Sequence, residues 1–188
     1  MDSIESKRFL PLFFRISFQF LFFVFLISEI GLAGEIQSYY GPEEHLQDKM
    51  ITLYQTAENS IYVACFNMTS WPIIKTLIMA KKKGIDVRVI TDAGELENKN
   101  THRAVKALLE AKIPVKVNRH DGLMHIKQSV IDEHANTSGS FNQTWTADHL
   151  NDERLDIITD SLNTKKAKEK FLSMWNDSGN FKELKENF

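Results

Sequence analysis

The alternation of strand-like and helix-like stretches is the feature of this sequence that most constrains its fold. Six runs have the length and the bounding turn residues of strands, and they cover residues 60–66, 86–92, 114–119, 126–132, 135–141 and 154–160. Four stretches carry apolar residues at helical spacing, and they cover residues 43–59, 71–84, 101–112 and 164–177. This alternation predicts an α/β fold in which helices cover both faces of one sheet. The two runs that flank Glu133 and His134 are expected to pair antiparallel, which makes the sheet mixed.

Length, charge and cysteine content narrow the class of protein. The chain has 188 residues, which suits one domain with a sizeable core better than two domains. Its formal net charge is −2, so no overall basic field marks a nucleic-acid binder, and a polyanion would need a local site. Cys65 is the only cysteine, which excludes an intramolecular disulfide, and its apolar neighbours predict a buried core residue.

The N-terminal segment does not follow the α/β pattern. An uncharged apolar run covers residues 16–28, which is shorter than the roughly 20 residues that a spanning helix needs. Basic residues precede the run and small residues follow it, as is typical of a secretory signal peptide. We therefore expect residues 1–33 to be cleaved, leaving residues 34–188 as a secreted or periplasmic domain. The alternative is a retained membrane anchor, in which Arg15 would snorkel to the bilayer surface.

His125 and Lys127 are the first candidate site residues. Of the six histidines, only His125 has a lysine two positions later and an aspartate, Asp132, seven positions later. Residues two apart in an extended strand point to the same face, so an imidazole and an ammonium group would lie side by side. Such a pair predicts an anion-binding site. Asp132 points to the opposite face by strand parity, which favours a structural hydrogen-bonding role over a chemical one.

A second group of polar residues follows this motif. Gly139, Ser140 and Asn142 come shortly after it, and Glu153 lies near the start of the next strand-like run. The order H-x-K-x4-D, then G-S-x-N, then an acidic residue resembles the signature of the phospholipase D superfamily. The chain is most similar to the small single-motif members, which are bacterial secreted endonucleases of the Nuc type and mitochondrial Zucchini-like enzymes. The resemblance covers most of residues 36–176 in element order.

The resemblance implies a phospholipase D-like fold with one motif per chain, no cofactor, and a catalytic set of His125, Lys127, Asp132 and Glu153. Phosphodiester hydrolysis needs a nucleophile, positive charge on the phosphoryl oxygens and an acid for the leaving oxygen. The neutral imidazole of His125 can attack phosphorus and form a phosphohistidine, while Lys127 neutralises the oxygens. The resemblance further implies that Glu153 orients the imidazole ring of His125.

Ser140 and Asn142 complete the predicted phosphate-binding set with Lys127. Their hydroxyl and amide groups can donate hydrogen bonds to phosphoryl oxygens, and Gly139 lets the backbone approach closely. The stretch before this glycine, residues 135–138, reads Ala-Asn-Thr-Ser. Such polar residues have weak strand propensity, so we expect a looser strand here.

Other residues could also form sites. The spacing of the histidines matches no common set of metal ligands, and Lys127 beside His125 would repel a cation, so we predict no metal site. The three tryptophans are typical of core or rim packing, although an aromatic ring near the site could stack a nucleic-acid base.

The sequence favours a metal-independent phosphodiesterase that cuts DNA or RNA as an endonuclease of low specificity. A phospholipase D that removes headgroups from phosphatidylcholine or cardiolipin is the alternative. A catalytically weak nucleic-acid-binding protein is the third interpretation. The mechanism needs two histidines on opposite sides of phosphorus, and the chain has one such motif. The simplest solution is a two-fold homodimer in which His125 of each subunit faces one shared phosphate.

Overall fold

Eight strands and five helices make up the part of the chain that the computed structural model describes, residues 34–185 and 188. The strands are β1 (Ile36–Gly41), β2 (Ser60–Cys65), β3 (Asp86–Thr91), β4 (Val115–Asn118), β5 (Lys127–Ile131), β6 (Ala135–Gly139), β7 (Glu153–Ile158) and β8 (Phe181–Glu183). The helices are α1 (Leu46–Gln55), α2 (Trp71–Lys82), α3 (Lys99–Glu110), α4 (Trp145–His149) and α5 (Ser161–Asn176). No helix among these described residues has the length and apolar character needed to cross a bilayer. The predicted leader, residues 1–33, lies outside the described residues.

One mixed sheet contains the eight strands in the order β1-β7-β6-β5-β2-β3-β4-β8. β2, β3 and β4 are parallel, and the other neighbouring pairs are antiparallel. α2 and α3 connect the parallel strands, as expected of βαβ units. β5 and β6 pair antiparallel with Val130 opposite Asn136 and Ile131 opposite Ala135. The predicted antiparallel pair, and with it the mixed sheet, is therefore confirmed.

Helices cover both faces of this sheet. All six residues of β2 are buried, which places this strand at the centre of the core. On one face, Ile61 and Val63 belong to a core cluster with the apolar sides of α1, α2 and α3. On the other face, Tyr62 stacks on Phe171 of α5 with 5.0 Å between the ring centroids. The predicted α/β fold is confirmed, and Cys65 is buried as expected.

Local sequence explains where the longer helices begin and end. The Ser70 side chain accepts a hydrogen bond from the Ile73 N–H at the start of α2, and Asn98 and Asp160 cap α3 and α5 in the same way. Gly84 follows α2 with a φ of 92°, in the region that glycine tolerates best. These caps hold the helices that cover the sheet, and so they fix the strand ends on which the site is built.

β6 differs from the expectation of a loose strand. It pairs with β5 on one side and with β7 on the other. Asn136 is fully buried, and its amide nitrogen donates to Thr164 Oγ1 at 3.0 Å and to Asn163 Oδ1 at 3.2 Å. Thr137 Oγ1 accepts the Ser129 N–H at 2.9 Å. The expectation was wrong because tertiary hydrogen bonds to α5 and β5 replace the apolar contacts that strand propensity reflects.

The sequence pattern also missed three short elements. β1 is largely exposed at the sheet edge, β8 has three residues, and α4 has five residues. Edge strands and single-turn helices are stabilised by their neighbours more than by their own apolar pattern, so they leave little signal in the sequence. α4 nevertheless matters for the site, because it lies in the connection between β6 and β7.

Candidate active site

The predicted site residues lie at one end of the sheet. β5 runs antiparallel to β2 with Lys127 opposite Cys65, so β5 begins where β2 ends. β6 ends beside the start of β7, with Gly139 opposite Leu155. The topology therefore places the start of β5, the end of β6 and the start of β7 at the same edge. Side chains more than 25 positions apart in sequence, such as those of Lys127 and Glu153, come within electrostatic reach of each other there.

His125 and Lys127 lie in direct contact. The Lys127 ammonium nitrogen is 2.9 Å from His125 Nε2 and donates to the His125 carbonyl oxygen at 3.0 Å. β5 begins at Lys127, so His125 precedes the strand and does not lie within it as the sequence pattern suggested. The backbone nevertheless stays paired with the residue after β2, because the Phe66 N–H donates to the Ile126 carbonyl oxygen at 2.9 Å. This pairing explains why the two side chains still project together.

The contact between the two side chains indicates which ring nitrogen of His125 carries the proton. Lys127 carries donors only, so its contact requires a lone pair on His125 Nε2 and places the ring proton on Nδ1. Partial burial lowers the pKa of Lys127, while the charge of Glu153 acts in the opposite direction. The ring of Phe66 packs edge-on against the imidazole with 4.7 Å between centroids. In this contact Nε2 accepts the Lys127 hydrogen bond, so its lone pair becomes free only when the ammonium turns to another acceptor, such as a phosphate oxygen.

Gly139 brings β6 and β7 unusually close at the site. Its φ is 140°, and a Cβ at this position would lie 2.1 Å from the Arg154 carbonyl oxygen. That carbonyl accepts the Ser140 N–H at 3.0 Å, and the Arg154 N–H donates to Ser140 Oγ at 3.1 Å. Only glycine allows this approach, because any side chain would push the strands apart. The glycine of the predicted G-S-x-N motif therefore positions Ser140.

Glu153 contacts Ser140, which differs from its implied role at His125. The Ser140 hydroxyl donates to Glu153 Oε2, and the Asn151 amide donates to Glu153 Oε1 at 3.3 Å. Among the described residues, no hydrogen bond joins Glu153 to His125. Glu153 thus orients Ser140, a member of the predicted phosphate-binding set, and its charge raises the pKa of Lys127 against the effect of burial.

Asn142 carries an unsatisfied polar group at the same end of the sheet. Its side chain is half-buried, and Oδ1 has no hydrogen-bond partner within the described part of the chain. Its own carbonyl accepts the Thr144 N–H at 2.8 Å, which fixes the backbone. The unpaired atom is an acceptor, so Oδ1 does not itself bind an anion, and only the N–H groups of the Asn142 amide can donate to a phosphoryl oxygen.

Asp132 lies at the other end of β5. Its φ is 51°, and its carboxylate accepts the backbone N–H groups of Glu58, Asn59 and Ser60 at 2.9, 2.9 and 2.5 Å. These contacts join the β5–β6 turn to the start of β2. Seven residues of extended chain span about 20 Å, which separates Asp132 from the chemistry at His125. Asp132 therefore serves the fold: its position at the far end of β5 does not fit the place in the catalytic set that the resemblance implied, and its contacts match the structural hydrogen-bonding role that the sequence favoured.

The remaining histidines do not gather into a metal site. Within residues 34–185 and 188, no group of three or more His, Cys, Asp or Glu side chains is placed to hold a metal ion. His134 lies 3.8 Å from Asp132 at the far end of β5. His120 lines the same groove as His125.

Sequence reasoning missed two residues that contact the site. Phe66 follows β2 and packs on the imidazole of His125, and Asp92 follows β3 and accepts the Met124 N–H at 2.7 Å. Both come directly after a buried parallel strand. Residues in that position lie at the carboxyl edge of a sheet, where ligands commonly bind in α/β proteins, and this signal could have identified them.

Comparison with known proteins shows the family to which this geometry belongs. Residues 50–175 match the family model described as "Cardiolipin synthase, PLD-like domain". The chain belongs to the phospholipase D superfamily. It is therefore a superfamily phosphodiesterase, with the single H-x-K-x4-D motif that the sequence analysis identified. The match includes every predicted site residue.

Individual relatives agree with this assignment. Phospholipase D of Rickettsia conorii is 34% identical over 149 residues, which cover 79% of this chain and 71% of the relative. Mitochondrial cardiolipin hydrolase of Xenopus tropicalis is 26% identical over 69% of this chain and 60% of its own length. The crystal structure of the phospholipase D family member Nuc from Salmonella typhimurium has a TM-score of 0.75 at 24% identity, covering 81% of this chain and 99% of that structure. The phospholipase D-like fold is thereby confirmed.

Proposed function

We propose that the protein hydrolyses phosphodiesters through a covalent phosphohistidine at His125. The observation that carries this proposal is the contact of 2.9 Å between His125 Nε2 and the Lys127 ammonium. In this contact the Nε2 lone pair accepts the Lys127 hydrogen bond; when a phosphate oxygen takes over the ammonium, the lone pair is freed beside a positive charge, which is what attack on an anionic phosphate requires. A superfamily phosphodiesterase with this pair has a nucleophile and a phosphate ligand in one place.

The chemistry runs in two displacements. His125 Nε2 forms a bond to phosphorus, the bond from phosphorus to the leaving oxygen breaks, and a general acid gives that oxygen a proton. Water then attacks the phosphohistidine, returns the imidazole and loses a proton to the same group. Lys127 and the Asn142 amide N–H bind the non-bridging oxygens during both steps, and the Ser140 hydroxyl joins them when it turns from Glu153 to the phosphate.

A side-by-side assay tests this proposal. Purified protein should hydrolyse bis(p-nitrophenyl) phosphate, and His125→Asn should lose turnover while it keeps the wild-type circular dichroism spectrum. Asn preserves the polarity of the position but lacks a nucleophilic nitrogen. Wild-type turnover by His125→Asn would contradict the mechanism.

A nucleic acid is the substrate that the surface favours. Trp145 begins α4, three residues after Asn142, and its side chain is 57% exposed. His149 stacks under the indole with 4.7 Å between centroids, and its own Nδ1 contacts Trp145 O at 3.1 Å and Asp148 at 3.3 Å. An exposed indole ring that is packed against His149 on one face is suited to stack an unpaired base on its other face.

The matching experiment compares three substrates. We expect cleavage of plasmid DNA or RNA, and we expect Trp145→Ala to weaken it while hydrolysis of bis(p-nitrophenyl) phosphate stays at the wild-type rate. Trp71→Ala is the matched control, because that ring lies on α2 against Arg103. Equal loss on the small phosphodiester would show that Trp145 supports the fold instead of binding a base.

A phospholipid is the alternative substrate, and a groove beside His125 favours it. The groove has a volume of about 370 Å³, and its apolar lining includes Leu123, Ile126, Met174 and Phe181. Leu123 is 62% exposed, and such an edge could bind acyl chains. The relatives named phospholipase D and cardiolipin hydrolase are in agreement with this candidate. Release of headgroup from labelled vesicles, without cleavage of nucleic acid, would decide in favour of the phospholipid.

The third interpretation, a catalytically weak nucleic-acid-binding protein, depended on a loose β6 and has lost that support.

We further propose a homodimer that shares one phosphate between two copies of His125. The leaving oxygen needs an acid, and the protonated imidazole of the second His125 is the simplest one, because it gives its proton to that oxygen and later takes one from the attacking water. In mixtures of wild-type and His125→Asn chains, activity per total protein should then fall as the square of the wild-type fraction. A linear dependence would mean that each subunit works alone, and His120 in the same groove would become the leading acid.

The leader completes the proposal. We propose that residues 1–33 direct export and are then removed, so that the mature protein begins near Gly34. N-terminal sequencing of protein from its native host should find this start. A full-length chain recovered from membranes would instead support the anchored form and strengthen the phospholipid alternative.

A further inference from the structure

The catalytic end of the sheet contains a buried carboxylate that the proposed chemistry does not use. Asp92 directly follows β3 and is 2% exposed. Its Oδ1 accepts the Gly94 N–H at 2.9 Å, and its Oδ2 accepts the Met124 N–H at 2.7 Å. Desolvating a carboxylate is costly, so a buried one normally has a defined task. One of the two groups that donate to Asp92 is the backbone N–H of Met124, the residue immediately before His125.

Asn118 at the end of β4 makes a matching pair of contacts. It is 6% exposed, its Oδ1 accepts the Ala93 N–H at 2.8 Å, and its Nδ2 donates to the Gly122 carbonyl at 3.0 Å. The amide therefore binds the residue next to Asp92 on one side and the loop before Met124 on the other. Together the two side chains tie the ends of β3 and β4 to the segment that leads into His125.

His125 lies between two backbone anchors as a result. On its N-terminal side the Met124 N–H binds Asp92, and on its C-terminal side the Ile126 carbonyl accepts the Phe66 N–H at 2.9 Å. Met124 itself is buried in the core beside α5. The imidazole needs this support, because residues outside a regular strand lack the ladder of hydrogen bonds that fixes strand residues.

The geometry points to Asp92 and Asn118 as positioning residues for His125. They hold the backbone of residues 122–124 so that the imidazole stays at the Lys127 ammonium and faces phosphorus. Neither side chain touches the substrate in this account. The inference rests on the proposed role of His125 as nucleophile, and it adds the residues that set its position.

Asp92→Asn is the main test, on the full-length chain with bis(p-nitrophenyl) phosphate. Asparagine keeps the shape but has one acceptor oxygen, so either the Gly94 or the Met124 N–H loses its partner. A displacement of about 1 Å at a nucleophile can lower kcat about 100-fold, so we expect kcat to fall by about 10- to 100-fold with KM unchanged. Asn118→Ala should lower kcat in the same direction. The double variant should lose less than the product of the two effects, because both side chains hold one segment.

Ile61→Val is the matched control. Ile61 is fully buried in β2 opposite Ile131, at the end of the sheet away from His125. This substitution removes one methylene group from the core and should lower stability slightly while kcat stays at the wild-type value. A fall in kcat that follows stability across all variants, Ile61→Val included, would overturn the positioning role.

Amide hydrogen exchange gives a second measurement, which already tests the inference on the wild-type protein. The Met124 N–H should exchange as slowly as the amides of β5, and Asp92→Asn should speed its exchange selectively. Rapid exchange of Met124 in the wild-type protein would overturn the inference even if Asp92→Asn failed to fold. His125→Asn separates failure of the positioning role from failure of the proposed function. If Asp92→Asn keeps the wild-type kcat while His125→Asn is inactive, only the positioning role is refuted. If His125→Asn is active, the proposed function is refuted.

Discussion

Gly139 is the position at which a single methyl group should affect stability and catalysis together. In Gly139→Ala the new Cβ would lie 2.1 Å from the Arg154 carbonyl oxygen and 2.9 Å from its carbon. Both atoms belong to the backbone of β7, so neither can rotate away. A carbon needs about 3.3 Å from a carbonyl oxygen, so β6 and β7 would have to separate by about 1 Å.

Two terms set the size of the effect. Overpacking costs about 1–3 kcal/mol, and a non-glycine residue in a rare backbone region costs about 1–3 kcal/mol. The free energy of unfolding should therefore fall by at least about 2 kcal/mol, which lowers Tm by at least about 4 °C for a domain of this size. The same separation moves Ser140 and Asn142, so kcat should fall about 100-fold.

Gly84→Ala is the control that separates strain from clash. Gly84 also has a positive φ of 92°, but a Cβ there meets nothing within 4 Å. It should lose stability through backbone strain alone and keep wild-type kcat on bis(p-nitrophenyl) phosphate. Thermal unfolding and steady-state kinetics on both variants provide the comparison. If Gly139→Ala matched Gly84→Ala in both Tm and kcat, the close approach of β6 and β7 would not be what positions Ser140.

Three further predictions concern charge. Partial burial raises the pKa of Asp132, but hydrogen bonds from the N–H groups of Glu58, Ser60 and Asn59 outweigh burial and keep the pKa below its ordinary value. A carboxyl group with a lowered pKa stabilises the fold at pH values above its unfolded pKa. That stability is lost as pH falls through the folded pKa. Asp132→Asn should therefore lower Tm at pH 7, and the difference should shrink below about pH 4, whereas a difference independent of pH would contradict the ionic role. Lys127→Ala should lower kcat by at least about 100-fold, because a charge contact to a transferring phosphoryl group is worth several kcal/mol, and a change confined to KM would assign Lys127 to binding alone. Activity should persist in excess EDTA, since Lys127 occupies the position of a charge-neutralising cation, and loss that Mg²⁺ or Zn²⁺ restores would refute this part of the mechanism.

The sequence predicted those parts of the site that depend on short spacing. His125 and Lys127 are two residues apart, and the extended backbone brings their side chains together even though β5 begins only at Lys127. Gly139 and Ser140 follow in the same hairpin, so their place at the end of β6 was also predictable. The alternation of strands and helices was sufficient for the α/β class, because each long element carries its own apolar period.

Contacts between distant segments were not predictable in the same way. Asp92 reaches Met124 across 32 positions, and nothing in either local sequence indicates the other. Glu153 was expected to bind His125 but binds Ser140, a choice that depends on side-chain rotamers at the sheet edge. β6 was expected to be weak because its polar residues have low strand propensity, whereas their partners on α5 and β5 appear only in the folded chain. Tertiary hydrogen bonds decided all three cases.

Trapping the covalent intermediate would identify the nucleophile. The protein would be mixed with a phosphodiester labelled at phosphorus, quenched within one turnover at alkaline pH, digested and analysed by mass spectrometry. We expect one phosphorylated site, His125, and no phosphorylated site in His125→Asn. Label on another residue would contradict the claim that His125 is the nucleophile, as would its complete absence in a protein with a measured burst of product.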